Sequence, residues 1–203
     1  VATAMFILVV STLLSYREQL ALATLNFPWK KPLVGALPYL FVTLGAALVL
    51  WPISALQMPV SQDHINHYFS THVLANDMIP SGRFFGWTDR IGSGYPFGDL
   101  YPTPAYLATT LLHFLSLRTI DLHSSYAFGV FLAWLIPALA ITAWGKRLGG
   151  SLGAVFAGLV FLVDAGGDRE GGWIYAMFHG VWPQQLGTGW WLFARVARWR
   201  LTE

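Results

Sequence analysis

Cysteine is absent from the 203 residues, so neither a disulfide framework nor a thiolate metal site is available to this chain. Charge is almost as scarce: Asp, Glu, Lys and Arg make up 11% of it, against about 25% in an ordinary soluble domain. A formal net charge of +2 is too small for a nucleic-acid binder, and no basic stripe is interleaved with aromatic residues. No strand followed by a glycine loop and Lys-Ser or Lys-Thr occurs, which argues against a nucleotide P-loop. Nucleic-acid partners and a nucleotide cofactor are therefore not expected.

What the chain has in abundance is apolar surface. Hydrophobic residues make up 55%, with ten Trp among them, and the apolar runs are long. This composition predicts an all-α fold, a polytopic transmembrane helical bundle in contact with membrane lipids. Residues 33–56 carry no charge and would reach about 36 Å as a helix, enough to cross a bilayer with tilt. Residues 125–144 read as a second span. Residues 148–163 read as a third, where Gly149-xxx-Gly153 and Ala154-xxx-Gly158 offer small faces for close helix packing. Residues 173–193 form the last apolar stretch, interrupted by His179, Pro183, Gln184 and Gln185. Residues 1–14 are too short to span, and 1–32 read as a partial helix with a cytoplasmic connector ahead of a membrane domain over 33–203. The chain opens and closes beside apolar runs, so a fragment of a longer protein is the expectation.

The longest polar interval, Ser61 to Tyr106, lies in a predicted outer loop over 57–124. Residues 105–117, apolar but short, read as an interfacial helix within it. With that segment not crossing, Arg17, Lys30, Lys31, Lys146, Arg147, Arg195, Arg198 and Arg200 all fall on the cytoplasmic side, as the positive-inside rule requires. Eight of the ten acids then face outward: Asp63, Asp77, Asp89, Asp99, Asp121, Asp164, Asp168 and Glu170. The expected location is the bacterial inner membrane, with the main loop extracytoplasmic.

Chemistry is sought first at Asp63-His64-Ile65-Asn66-His67. On a helix, Asp63 and His67 share a face with their Cβ atoms about 5–6 Å apart. Such a pair can serve as a general acid/base couple or as two ligands of a divalent metal. Equally, Asp63 can be the N-cap of a helix running to about Asn76, with the two histidines as interfacial polar residues. The run Gly92-Ser-Gly-Tyr-Pro-Phe-Gly-Asp-Leu-Tyr-Pro-Thr-Pro reads as a compact turn. Arg90 and Arg169 can hold a phosphate or pair with a nearby acid. His179, Gln184 and Gln185 are polar at membrane depth, which suits a cavity or inter-helix hydrogen bonds.

Taken in order, a span, Asp63-His64-x-x-His67, Pro80, Trp87, Gly92-x-Gly94-x-Pro96 and Tyr101-Pro-x-Pro-x-Tyr106 resemble the bacterial YfhO-like membrane proteins. They also resemble the membrane domain labelled 6-pyruvoyl-tetrahydropterin-synthase-related, and through both the GT-C glycosyltransferases. The resemblance implies a GT-C-like architecture and transfer of a sugar from a polyprenyl-phosphate donor at the extracytoplasmic face. Asp63 matches the family's first-loop acid, with His64 and His67 assisting, and Asp63 with His67 holding Mg or Mn. Arg90, Asp99, Tyr101, Asp168, Arg169, Glu170, His179 and Gln184 would contact substrate. Departures are an Asp-His in place of Asp-x-Asp or Asp-Glu, and the lack of an outer soluble domain. Two alternatives stand beside it: a lipid-linked glycan transporter or flippase, and a non-catalytic membrane subunit of a complex with a protein partner.

Overall fold

The long apolar runs do become helices, and helix dominates the chain. The structure is a computed structural model that describes residues 30–90, 92–99, 103–166 and 172–201. Of the expected partial helix and connector over 1–32, residues 1–29 lie outside the described residues, as do Tyr101, Asp168, Arg169 and Glu170, while Lys30, Lys31 and Pro32 open a helix rather than end a connector. The elements in chain order are helix α1 (Lys30–Val49), a 3-10 turn (Ile53–Ala55) and helix α2 (His64–Val73), which runs on through a π turn and a 3-10 turn to Ser81. Strands β1 (Gly86–Thr88) and β2 (Tyr95–Phe97) follow, then helices α3 (Thr103–Leu115) and α4 (Leu122–Val163), a π turn (Ile174–Phe178) and helix α5 (Trp182–Leu201).

The chain divides into two compact units. One comprises Val1–Val49, Leu135–Asp164 and Thr188–Glu203; the other comprises Leu50–Trp134 and Ala165–Gly187. One helix among the described residues, α4, is long and apolar enough to cross a membrane, and Val34–Val49 is a shorter apolar helix. The predicted span 33–56 is cut short at Val49. Pro52 is the cause, since it lacks an N–H for the next helical bond and disfavours helical backbone at Trp51.

Helix α4 is not straight. Gly149 (φ −141°, ψ 24°) and Gly150 (φ 60°, ψ −152°) leave helical geometry, and Gly150 occupies the left-handed region that only glycine enters freely. The chain reverses there: a Cβ at Gly145 would stand 2.4 Å from Gly153 O and 2.7 Å from Ala157 Cβ, a proximity impossible along one straight helix. Residues 122–148 and 151–163 are thus antiparallel arms of a helical hairpin, the first about 40 Å long. Gly153 and Gly158 do form a small packing face, Gly158 against Thr142 and Val42. Gly149 instead makes the turn. Small residues let the two backbones touch, as in membrane helix pairs. Gly145→Ala is expected to cost about 1–3 kcal/mol, because main chain, not a yielding side chain, blocks the new methyl. Thermal unfolding in detergent measures it, and an unchanged midpoint would refute the close crossing.

The predicted compact turn at Gly92–Pro104 is in part a β-hairpin. β1 and β2 pair antiparallel, with Gly86 opposite Phe97, Trp87 opposite Pro96 and Thr88 opposite Tyr95. A helix is found where the apolar segment 105–117 predicts one, as α3 over Thr103–Leu115. The stretch 173–193 is not one helix: the π turn at Ile174–Phe178 ends at His179, and α5 restarts at Trp182. Gly180, at φ 81°, makes the break. Pro183, in the first turn of α5, sits where a helix loses no hydrogen bond to it.

Candidate functional site

Helix α2 buries one stripe. His64, His67, Thr71, Leu74 and Met78 recur at helical spacing and are all buried, while Asp63, Ile65 and Asn66 are exposed. The two histidines therefore face the interior of the unit, and the aspartate faces out.

His64 has no exposed surface. Its Nε2 lies 2.6 Å from Met177 O and its Nδ1 2.9 Å from the Tyr126 hydroxyl. Trp182 Nε1 donates to the same hydroxyl at 3.1 Å. A carbonyl only accepts, so His64 carries its proton on Nε2, and Nδ1 accepts from Tyr126. The chain of donors runs from Trp182 to Tyr126 to His64 to Met177 with every polar atom satisfied. Burial holds the His64 pKa below its usual value, against the opposing pull of the Met177 carbonyl and the Asp63 charge.

His67 is 4% exposed and sets Nδ1 3.0 Å from the Tyr106 hydroxyl. Its ring packs edge-on against Trp182 at 5.7 Å between centroids. Burial lowers its pKa to about 4, outweighing Asp63 and a hydrogen bond to the Gly180 main chain, both of which raise it. Below it, Thr71 and Thr109 share a hydrogen bond of 2.8 Å, and Ser125 Oγ donates to Thr109 O. Gly129 lies against Thr109 so closely that an added Cβ would meet its Cα at 2.6 Å. Residues of α2, α3, α4 and the Gly180 break thus lock around the two imidazoles.

Asp63 precedes α2 without capping it: its side chain makes no cap hydrogen bond. Its main-chain N–H instead donates to His179 O at 3.4 Å, and Ser61 Oγ donates to Phe178 O at 2.8 Å. Gly180 passes so near that an added Cβ would stand 3.0 Å from His64 N and 3.1 Å from Asp63 Cβ. The carboxylate is therefore carried, exposed, on a corner held by main-chain contacts. The N-cap reading predicted the helix start correctly and the side-chain bond incorrectly.

The other residues singled out in the sequence scatter. His179 enters through its main chain, which receives Asp63 and closes the π turn with a 3.2 Å bond to Ile174 O. Gln184 is exposed in the first turn of α5. Asp99 is exposed just past β2, its N–H bonded to Pro96 O at 3.2 Å. Arg90 pairs with Asp77 at 3.1 Å and lines a groove to which none of Asp63, His64 and His67 contributes. Tyr106, Tyr126, Met177 and Trp182, the partners of the histidines, carry no local sequence signal beyond being aromatic or apolar.

No group of three or more His, Asp or Glu side chains among the described residues is placed to hold a metal ion. The ring of His67 is buried and hydrogen-bonded while Asp63 faces outward, so the two do not fit a shared cation. His64, with both ring nitrogens engaged inside the protein, is a packing residue by its geometry. Comparison of the chain with protein-family models, with curated proteins and with solved structures finds no match.

Proposed function

We propose that this chain is a membrane-embedded sugar transferase of GT-C type, drawing its sugar from a polyprenyl-phosphate at the extracytoplasmic face, with Asp63 as its catalytic carboxylate. One observation carries the reading: Asp63 is an exposed carboxylate, spends no oxygen on capping its helix, and rides on a corner fixed by His179 and Gly180. In the proposed bundle α1, the two arms of α4 and α5 cross the bilayer, with Lys146 and Arg147 near the Gly149–Gly150 turn on the cytoplasmic side. A basic residue pair beside a tight turn fits that placement.

The chemistry needs little from the protein. The bond from the sugar anomeric carbon to the lipid phosphate breaks, and the phosphate leaves as a stable anion. A new bond forms from that carbon to an acceptor oxygen, whose proton passes to Asp63. The histidines do not act in it. They hold Asp63 in place from beneath.

Asp63→Asn is expected to reduce transfer of labelled sugar from polyprenyl-phosphate by about 100-fold or more, with expression and membrane insertion intact. Unchanged transfer would remove Asp63 from the mechanism. A second reading, a membrane subunit without chemistry of its own, is favoured by the commitment of both motif histidines to packing. It predicts instead that a co-purifying partner retains full activity in the Asp63→Asn variant.

A further inference from the structure

A groove of about 790 Å³ opens on the Leu50–Trp134 side of the second unit, away from the histidine pair, between the end of α2 and the β-hairpin. Its walls hold two acids, Asp77 and Asp89, and two bases, Arg83 and Arg90, together with Asn76 and Trp87. The four charges cancel. Arg90 Nη2 is already paired with Asp77 Oδ1 at 3.1 Å, and Arg83 Nη1 donates to Trp87 O at 3.3 Å. Arg83 is held by a neutral carbonyl rather than by a carboxylate, so the groove is neutral as a whole and not group by group.

Trp87 is the distinctive part. It is 56% exposed, yet it is not loose. Its Nε1 donates to Asp89 Oδ1 at 2.7 Å, and the Gly94 main chain lies so close that an added Cβ would stand 2.0 Å from the ring. An exposed indole pinned at its N–H and backed by glycine is an aromatic platform ordered before any ligand arrives. Around it, Asp77 and Asp89 each use Oδ1 within the protein and, among the described residues, leave Oδ2 without a hydrogen-bond partner, and Asn76 spends its amide N–H on His72 O at 3.1 Å, leaving Oδ1 as an acceptor. Acceptors for hydroxyl groups surround a flat apolar surface, within a neutral and open groove.

From this arrangement we infer that the groove is a binding site for a neutral saccharide, a sugar ring lying against Trp87 with its hydroxyls donating to Asp77, Asp89 and Asn76. A pyranose presents an apolar face of C–H groups and a rim of O–H groups, the two surfaces this site offers to match. The inference does not depend on Asp63, since saccharide binding here needs no bond to be broken.

Saturation-transfer NMR on the full chain tests it, in a zwitterionic detergent without a sugar head group, with maltose, cellobiose and chitobiose as probes. At least one is expected to receive saturation at its ring protons. Trp87→Ala should weaken that binding about tenfold or more, and Trp87→Tyr, which keeps an aromatic face, should retain most of it. Asn76→Ala lies outside the hairpin and should weaken it severalfold, which keeps the test valid if Trp87→Ala disturbs the strands. Asp63→Asn should bind as the parent does even where transfer is lost, so failure here and failure of the transferase reading are separable. No saturation of any probe, or binding indifferent to both Trp87→Ala and Asn76→Ala, would overturn the inference.

Discussion

Tyr126→Phe is expected to destabilise the protein by roughly 2–5 kcal/mol, far more than the loss of one hydroxyl suggests. The hydroxyl sits between Trp182 Nε1, 3.1 Å away, and His64 Nδ1, 2.9 Å away. All three residues are fully buried. Removing the oxygen leaves an indole donor and an imidazole acceptor without partners, and each stranded group costs about 1–3 kcal/mol. The variant keeps the ring, so little packing is lost and the effect reports the network. Tyr106→Phe removes the hydroxyl that meets His67 Nδ1 and should cost less. Thermal unfolding of the two variants in the same detergent gives the comparison. Equal and small shifts would mean that the buried chain from Trp182 to Met177 does not form.

Acidification should weaken the fold through the same cluster. His67 titrates near pH 4 in the folded protein, and near 6.5 when unfolded. Between those values the unfolded chain binds a proton that the folded one does not, so stability falls as pH falls. The contribution is fully present above about pH 6.5, is lost progressively to about pH 4, and is roughly 3 kcal/mol in all. His64 is shifted in the same direction by the same cause, burial, and adds to the loss. The physical cause is burial, which leaves a charged imidazole without water around it. A pH series of unfolding midpoints should slope upward from pH 4 to 6.5. His67→Leu should flatten the slope. A flat series for the parent protein would place the histidines in contact with water.

Much of the helical framework was readable in advance because it is written locally. The uncharged run at 125–144 lies within the first arm of α4, the apolar segment at 105–117 corresponds to α3, and the helix expected after Asp63 begins at His64. Pro52 and Gly180 mark their breaks by their own backbone preferences, though the first cuts a span of 33–56 that hydropathy alone would have extended. The hairpin of β1 and β2 escaped the reading because three-residue strands carry no measurable alternation, and the Gly-Ser-Gly between them suits any compact turn. The spacing of Gly149 from Gly153 suggests a packing residue, but the same spacing arises when the chain turns at Gly149–Gly150 and packs Gly145 on Gly153.

The site divides along the same line. By itself the sequence determined that helices would dominate, that Asp63 would head one of them, and that a carboxylate and two imidazoles would sit within a turn and a half. Which way each pointed was decided only by residues far along the chain: Tyr106 meeting His67, and Tyr126, Met177 and Trp182 meeting His64. Helix formation depends on neighbours three and four residues away, so composition and spacing suffice for it. The fate of a histidine depends on whether distant partners close over it and exclude water, and no local pattern records that.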